Sequence, residues 1–135
     1  MIKKMILSLS AAVCSIIIFA SVPSVWAGGW DYLGQYFFSF NAEGKYMRTG
    51  VIYSGGGNLK ACADKQNKDG KDRYTLYNHN PNHDYIIDYA VLSPGECYTF
   101  TGLSKYVDGA NKKAEVYFKI YDTNHHTTEA IYVWD

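Results

Sequence analysis

His79, His83 and Asp84 crowd one short stretch of the chain, among Asn78, Asn80 and Asn82. Imidazole and carboxylate groups are ligands for zinc or copper. An i, i+4 histidine pair chelates best on a helix, and Pro81 between the two rules out a regular one. A second pair, His125-His126, occupies another polar turn and could complete a site only if the fold brought both loops together. Histidine and asparagine are also ordinary polar loop residues, so no metal and no cofactor is expected. His79 and His83 are kept as candidate contact residues of a binding loop.

The stretch Asp64-Lys-Gln-Asn-Lys-Asp-Gly70 has the outline of a calcium loop. Aligning Gly70 with the glycine of such a loop puts Lys65 where the first carboxylate belongs, and an ammonium there repels the ion. A charge-balanced hairpin is the expectation. No serine stands in the glycine pattern of a nucleophile elbow. Glu43, Glu96, Glu115 and Glu129 fall where carboxylates ordinarily face solvent. No catalytic residue is assigned, and the chain is not expected to be an enzyme.

The 13 tyrosines are the most unusual feature. Tyr117 and Tyr121 alternate with Lys119 beside Glu115, which places them on a polar strand face. With Phe37 and Trp134 they could form a flat aromatic surface. A tyrosine offers a large apolar ring with a polar tip at low entropic cost, which suits contact with sugars or proteins. Sheets also favour tyrosine for cross-strand packing, and Tyr32, Tyr36 and Tyr89 are expected in the core.

The segments that carry these residues begin after a leader. Residues 1–27 have a basic start at Lys3 and Lys4, an apolar run from Met5 to about Ala20, Pro23, and Val25-Trp26-Ala27 before a cleavage point. This is the plan of a secretory signal peptide. The run is shorter than the ~20 apolar residues of a membrane span, so no stable anchor is expected. Cys14 is not a lipidation site, because Val13 precedes it and the apolar run continues past it. The expected mature domain is 28–135, a single domain of 108 residues with 11 basic and 13 acidic side chains and a net charge of −2. That balance excludes a nucleic-acid binder, which needs a basic face to displace counterions. Cys62 and Cys97 are its two cysteines, and a secreted chain is expected to join them. The closed loop would stabilise by ~3–4 kcal/mol.

Short alternating runs with turn signals between them fill this domain. The expected strands are 31–41, 46–53, 59–63, 73–78, 85–92, 97–101, 115–121 and 128–134, with one helical turn near 103–108. No window holds a 3.6-residue apolar period. Seven to eight short strands predict an all-β, antiparallel β-sandwich, immunoglobulin-like in the loose sense, with a small β-barrel as the alternative. The stretch from Leu92 to Phe100 (LSPGECYTF) resembles the strand–turn–strand of many bacterial immunoglobulin-like sandwiches. The chain departs from true immunoglobulin domains: no Trp lies between the cysteines, and Gly95 stands where a tyrosine corner needs Tyr.

The functional expectation is a secreted, extracellular, non-enzymatic binding module. Its partner would be an extracellular macromolecule such as a cell-surface glycan, matrix or protein. The surfaces considered are an aromatic strand face or the His/Asn loops. The alternatives are a secreted antibacterial or membrane-active toxin, against which the acidic balance counts, and a structural matrix or spore-surface protein.

Overall fold

The computed structural model describes residues 29–67, 70–121 and 129–135. The leader, the tip of the Asp64–Gly70 turn and the His125-His126 pair lie outside the described residues.

Two antiparallel sheets pack face to face. One holds β1 (Tyr32–Phe37), β5 (Leu59–Ala63), β8 (Cys97–Phe100) and β11 (Ala130–Trp134), in the order β1-β11-β5-β8. The seven-stranded sheet is built around β10 (Lys113–Ile120). β10 pairs with β3 (Met47–Arg48), β4 (Ile52–Ser54), β6 (Asp72–Asn78) and β9 (Val107–Asp108). β2 (Ser39–Phe40) extends it beyond β3, and β7 (Tyr85–Leu92) extends it beyond β6. A 3-10 turn spans Leu103–Tyr106. The sheets do not close on each other, which settles the architecture as a sandwich and removes the barrel alternative.

Period-two alternation explains the core. On β10, Ala114, Val116, Phe118 and Ile120 are buried; on β5, Leu59, Ala61 and Ala63 are buried. Ile131 and Val133 of β11 meet them from the four-stranded side, and Phe100 packs on Phe118 with ring centroids 5.6 Å apart. A buried amide clamps the two layers. Asn67 donates from Nδ2 to the Tyr74 hydroxyl at 3.0 Å and accepts the Ala130 N–H at 3.3 Å. The chain crosses between sheets at Phe38, whose side chain is buried and whose N–H donates to the Glu129 carbonyl at 3.0 Å.

Three irregularities revise the alternation read from sequence. The register on β1 shifts between Tyr32 and Gly34, with Gly34 at φ 145°. The extra residue inverts parity, so Tyr32 pairs with Trp134 on the outer face and is exposed, while Tyr36 pairs with Ile131 and packs half-buried against the core. The expected strand 46–53 is split. Arg48 pairs with Lys119 and Ile52 with Val116, a one-residue slip, and Thr49 between them exchanges two bonds with Phe118, both backbone N–H groups donating. A shift between Leu76 and Tyr77 disturbs the β6–β7 ladder. Tyr89 is exposed on the outer face, opposite Thr75 and beneath the Arg73 guanidinium, and does not join the core.

Cys62 and Cys97 are disulfide-bonded. They face each other directly across β5 and β8, on the outer side of the four-stranded sheet.

Candidate functional site

Residues opposite one another in an antiparallel ladder share a face. On the outer face of the seven-stranded sheet this joins Arg48 to Lys119 and Tyr117 to Tyr77. Tyr46, two residues before Arg48, and Tyr121, two after Lys119, extend the group along their strands, and their rings lie 6.1 Å apart. Four tyrosines from three strand segments thus surround two cations.

The layering is tight. Tyr77 and Tyr117 stack nearly parallel, 5.3 Å between centroids and 10° between planes. The Arg48 guanidinium lies 3.8 Å above the Tyr117 ring. The Lys119 ammonium lies 4.3 Å from the Tyr46 ring, 4.6 Å from Tyr77 and 5.7 Å from Tyr117. Such contacts let a cation sit against π-electron density with its polar head still wet. The Tyr77 and Tyr121 hydroxyls are hydrogen-bonded to each other.

Beneath this layer, the Tyr117 hydroxyl donates to Asp84 Oδ2 at 2.5 Å. Asp84 Oδ1 also accepts the Asn80 N–H at 3.1 Å and faces His79 Nδ1 at 3.4 Å. Burial alone would raise the Asp84 carboxyl. The Tyr117 and Asn80 bonds and the charges of His79 and Arg48 outweigh it and hold the group below its usual value. Tyr117 moves the opposite way, raised first by burial and then by donating to a carboxylate that must stay charged. Burial and the bond to Tyr121 likewise raise Tyr77.

The structure separates the residues singled out from sequence. Tyr117 points to the outer face as expected, yet it is fully covered by Tyr77, Arg48 and His79 and offers no surface of its own. Tyr121 is exposed at 53%. Phe37, exposed at 55%, and Trp134, half-buried, lie on the four-stranded sheet. They therefore cannot share a surface with Tyr121, which corrects the single aromatic face expected. His79 supports Asp84, and His83 sits at the protein surface with its ring edge-on to Tyr85 at 4.7 Å. Among the described residues no group of three His, Cys, Asp or Glu could hold a metal.

Trp134 belongs to a second aromatic row, 5.3 Å from Tyr32 and 6.4 Å from Tyr132, with Lys60 at 5.2 Å. Beside it a groove of about 410 Å³ is lined by the disulfide, Tyr132, Trp134 and the polar residues Asp64, Lys65 and Gln66. Arg48, Tyr46, Tyr77 and Lys119 had no place among the residues singled out. Their one signal in the sequence is alternation, a cation two residues from a tyrosine in both 46–48 and 117–121.

Residues 32–132 match a protein family described as the YndA coiled coil domain. A Bacillus subtilis (strain 168) protein named "Uncharacterized protein YndA" is 34% identical over 97 residues, covering 70% of this chain and 67% of the relative. A coiled coil is made of α-helices with an apolar heptad repeat. The described residues of the matched span form strands and one 3-10 turn instead.

Proposed function

The chain belongs to the family described as the YndA coiled coil domain, and from that premise we propose that it is a secreted, extracellular, non-enzymatic module that binds a cell-surface glycan through the outer face of its seven-stranded sheet. The observation that carries this reading is the layer in which Tyr46, Tyr121, Arg48 and Lys119 lie outermost over the buried Tyr77 and Tyr117 rings. Pyranose C–H faces stack on aromatic rings, and sugar oxygens accept from guanidinium, ammonium and phenol donors. A sheet holds such groups rigidly, so little side-chain entropy is lost on binding. Tyr53 and Tyr89, both exposed, widen the same face.

The test is co-sedimentation of the purified chain with insoluble peptidoglycan and cell-wall polysaccharide. Tyr121→Ala and Tyr53→Ala should each weaken retention severalfold, and Trp134→Ala on the opposite sheet should leave it unchanged. Retention lost only with Trp134→Ala would move the site to the groove beside the disulfide. No retention by the unaltered chain would refute the glycan reading.

A second reading, a structural matrix role, is favoured by β7. This edge strand is eight residues long and exposes Ile86, Tyr89 and Val91. An apolar edge of that length is a template for pairing with another chain. Light scattering over a hundredfold concentration range checks it: growth of assemblies with concentration, abolished by Val91→Lys, supports the reading, and a constant monomer mass excludes it.

A further inference from the structure

Resting on the glycan-face reading, we propose that the ligand is an anionic polyhydroxylated chain whose carboxylate or phosphodiester groups are gripped by Arg48 and Lys119 together. The two cations are register partners on adjacent strands, so both side chains leave the same face of the sheet. Their local partners are π faces. Arg48 covers Tyr117, and Lys119 sits among Tyr46, Tyr77 and Tyr117. A ring holds a cation in place without cancelling its charge, as a carboxylate would.

Among the described residues, Lys45 lies 3.0 Å from Glu43 and His79 lies 3.4 Å from Asp84, and neither contact uses Arg48 or Lys119. Arg48 gives one donor, Nε, to the Thr49 carbonyl at 3.2 Å, while a guanidinium has five. The charge of Arg48 is felt by the Asp84 carboxylate. Its oxygens already receive the Tyr117 hydroxyl and the Asn80 N–H and face His79. Glu115, farther along the same face, accepts from Asn111 Nδ2 at 3.2 Å.

Cations thus outnumber anions on this face, where Glu115 and Asp84 are the acidic groups described above. A domain expected to carry a net −2 presents Arg48, Lys119 and Arg73 on one sheet face. A neutral glycan needs no such concentration of cations. A polyanion would, and the exposed rings of the same face, Tyr121, Tyr53 and Tyr89, supply the stacking that a sugar or polyol chain adds.

The experiment measures binding of the full chain by calorimetry to three probes: polygalacturonate, poly(glycerol phosphate), and methyl-esterified polygalacturonate as the neutral counterpart. At least one anionic polymer should bind tenfold or more tighter than the neutral one. Its affinity should fall roughly tenfold between 50 and 200 mM NaCl, as release of about two counterions requires. Preference for polygalacturonate assigns a uronate ligand and preference for the phosphodiester a polyol phosphate; either supports the inference. Lys119→Gln should cut anionic binding severalfold, Lys119→Arg should restore it, and Arg48→Gln with Lys119→Gln should abolish it. Should the double variant not fold, the salt dependence of the unaltered chain still decides.

Equal, salt-independent binding of all three polymers overturns the anion inference and leaves the glycan reading standing. Binding of none overturns both. Single-stranded DNA bound as tightly as the best polymer also overturns the inference, because bare charge would then suffice.

Discussion

Replacing Tyr117 with Phe removes one oxygen and keeps the ring, so its effect isolates the buried bond to Asp84. That bond is 2.5 Å long, and its donor side chain is wholly excluded from solvent. Hydrogen bonds to a charged partner contribute about 1.5–3 kcal/mol, and Asp84 keeps Asn80, His79 and Arg48 as neighbours. The expected loss at pH 7 is therefore about 1.5–3 kcal/mol, a fall in Tm of roughly 6–12 °C for a domain of this size. Thermal and urea unfolding from pH 2 to 8 measure it. The folded-state carboxyl of Asp84 lies below its unfolded value. Its contribution is thus present above the unfolded pKa of ~3.9 and is lost as pH falls through the folded one. Without the Tyr117 donor the folded value returns toward the ordinary one. The gap between the two proteins should be widest at neutral pH and shrink below about pH 4 to the ~0.5–1.5 kcal/mol of a neutral bond. A gap under 2 °C at pH 7, or one constant across the acid range, would refute the assignment of Asp84 as the ionised acceptor.

Four further expectations follow from the fold. Replacing Cys62 and Cys97 with Ala should lower stability by ~3–4 kcal/mol in urea unfolding, and the 28–135 domain, which lacks Cys14, alkylated without reductant should keep its intact mass; two adducts would contradict the bond. Gly34→Ala places a Cβ at φ 145°, a strained region costing about 1–3 kcal/mol. Gly50→Ala, where a Cβ meets nothing within 4 Å and φ is not positive, should stay within ~0.5 kcal/mol, and equal effects at both glycines would remove the role given to the β1 bulge. Phe118→Ala, at the centre of the core, should cost about 3–5 kcal/mol by chemical denaturation. In native-state phenol titration, Tyr74, Tyr77 and Tyr117 should stay protonated above the ordinary tyrosine range, because burial raises all three. Their stabilisation is present below pH ~10 and is lost above it, and a single step near pH 10 accounting for every tyrosine would count against their burial.

The sequence spoke clearly wherever one strand decided the matter alone. Leu59–Ala63 and Tyr85–Leu92 form within their expected bounds, and the alternation of Val116, Phe118 and Ile120 aims them at the core. Cys62 and Cys97 had one partner each to choose, and the β5–β8 register sets them opposite. What stayed hidden depended on neighbours far along the chain. Period two tells which residues of a strand share a face; it does not name the sheet, so Trp134 and Tyr121 could not be assigned to opposite sides. One inserted residue reverses the parity beyond it, and Tyr32 and Tyr36, four apart, part company across the shift at Gly34. Nor does period two tell whether an outward residue is covered. Its place between Glu115 and Lys119 on one strand face predicts a surface Tyr117, but Arg48 arrives from β3 and Tyr77 from β6 to close over its ring. Long cationic side chains lay apolar stems and π-facing heads across a sheet while their charge stays in water. A lysine or arginine two residues from a tyrosine is therefore poor evidence that the tyrosine is exposed, and better evidence of a cation–aromatic layer whose outermost groups here are Arg48, Lys119 and Tyr121.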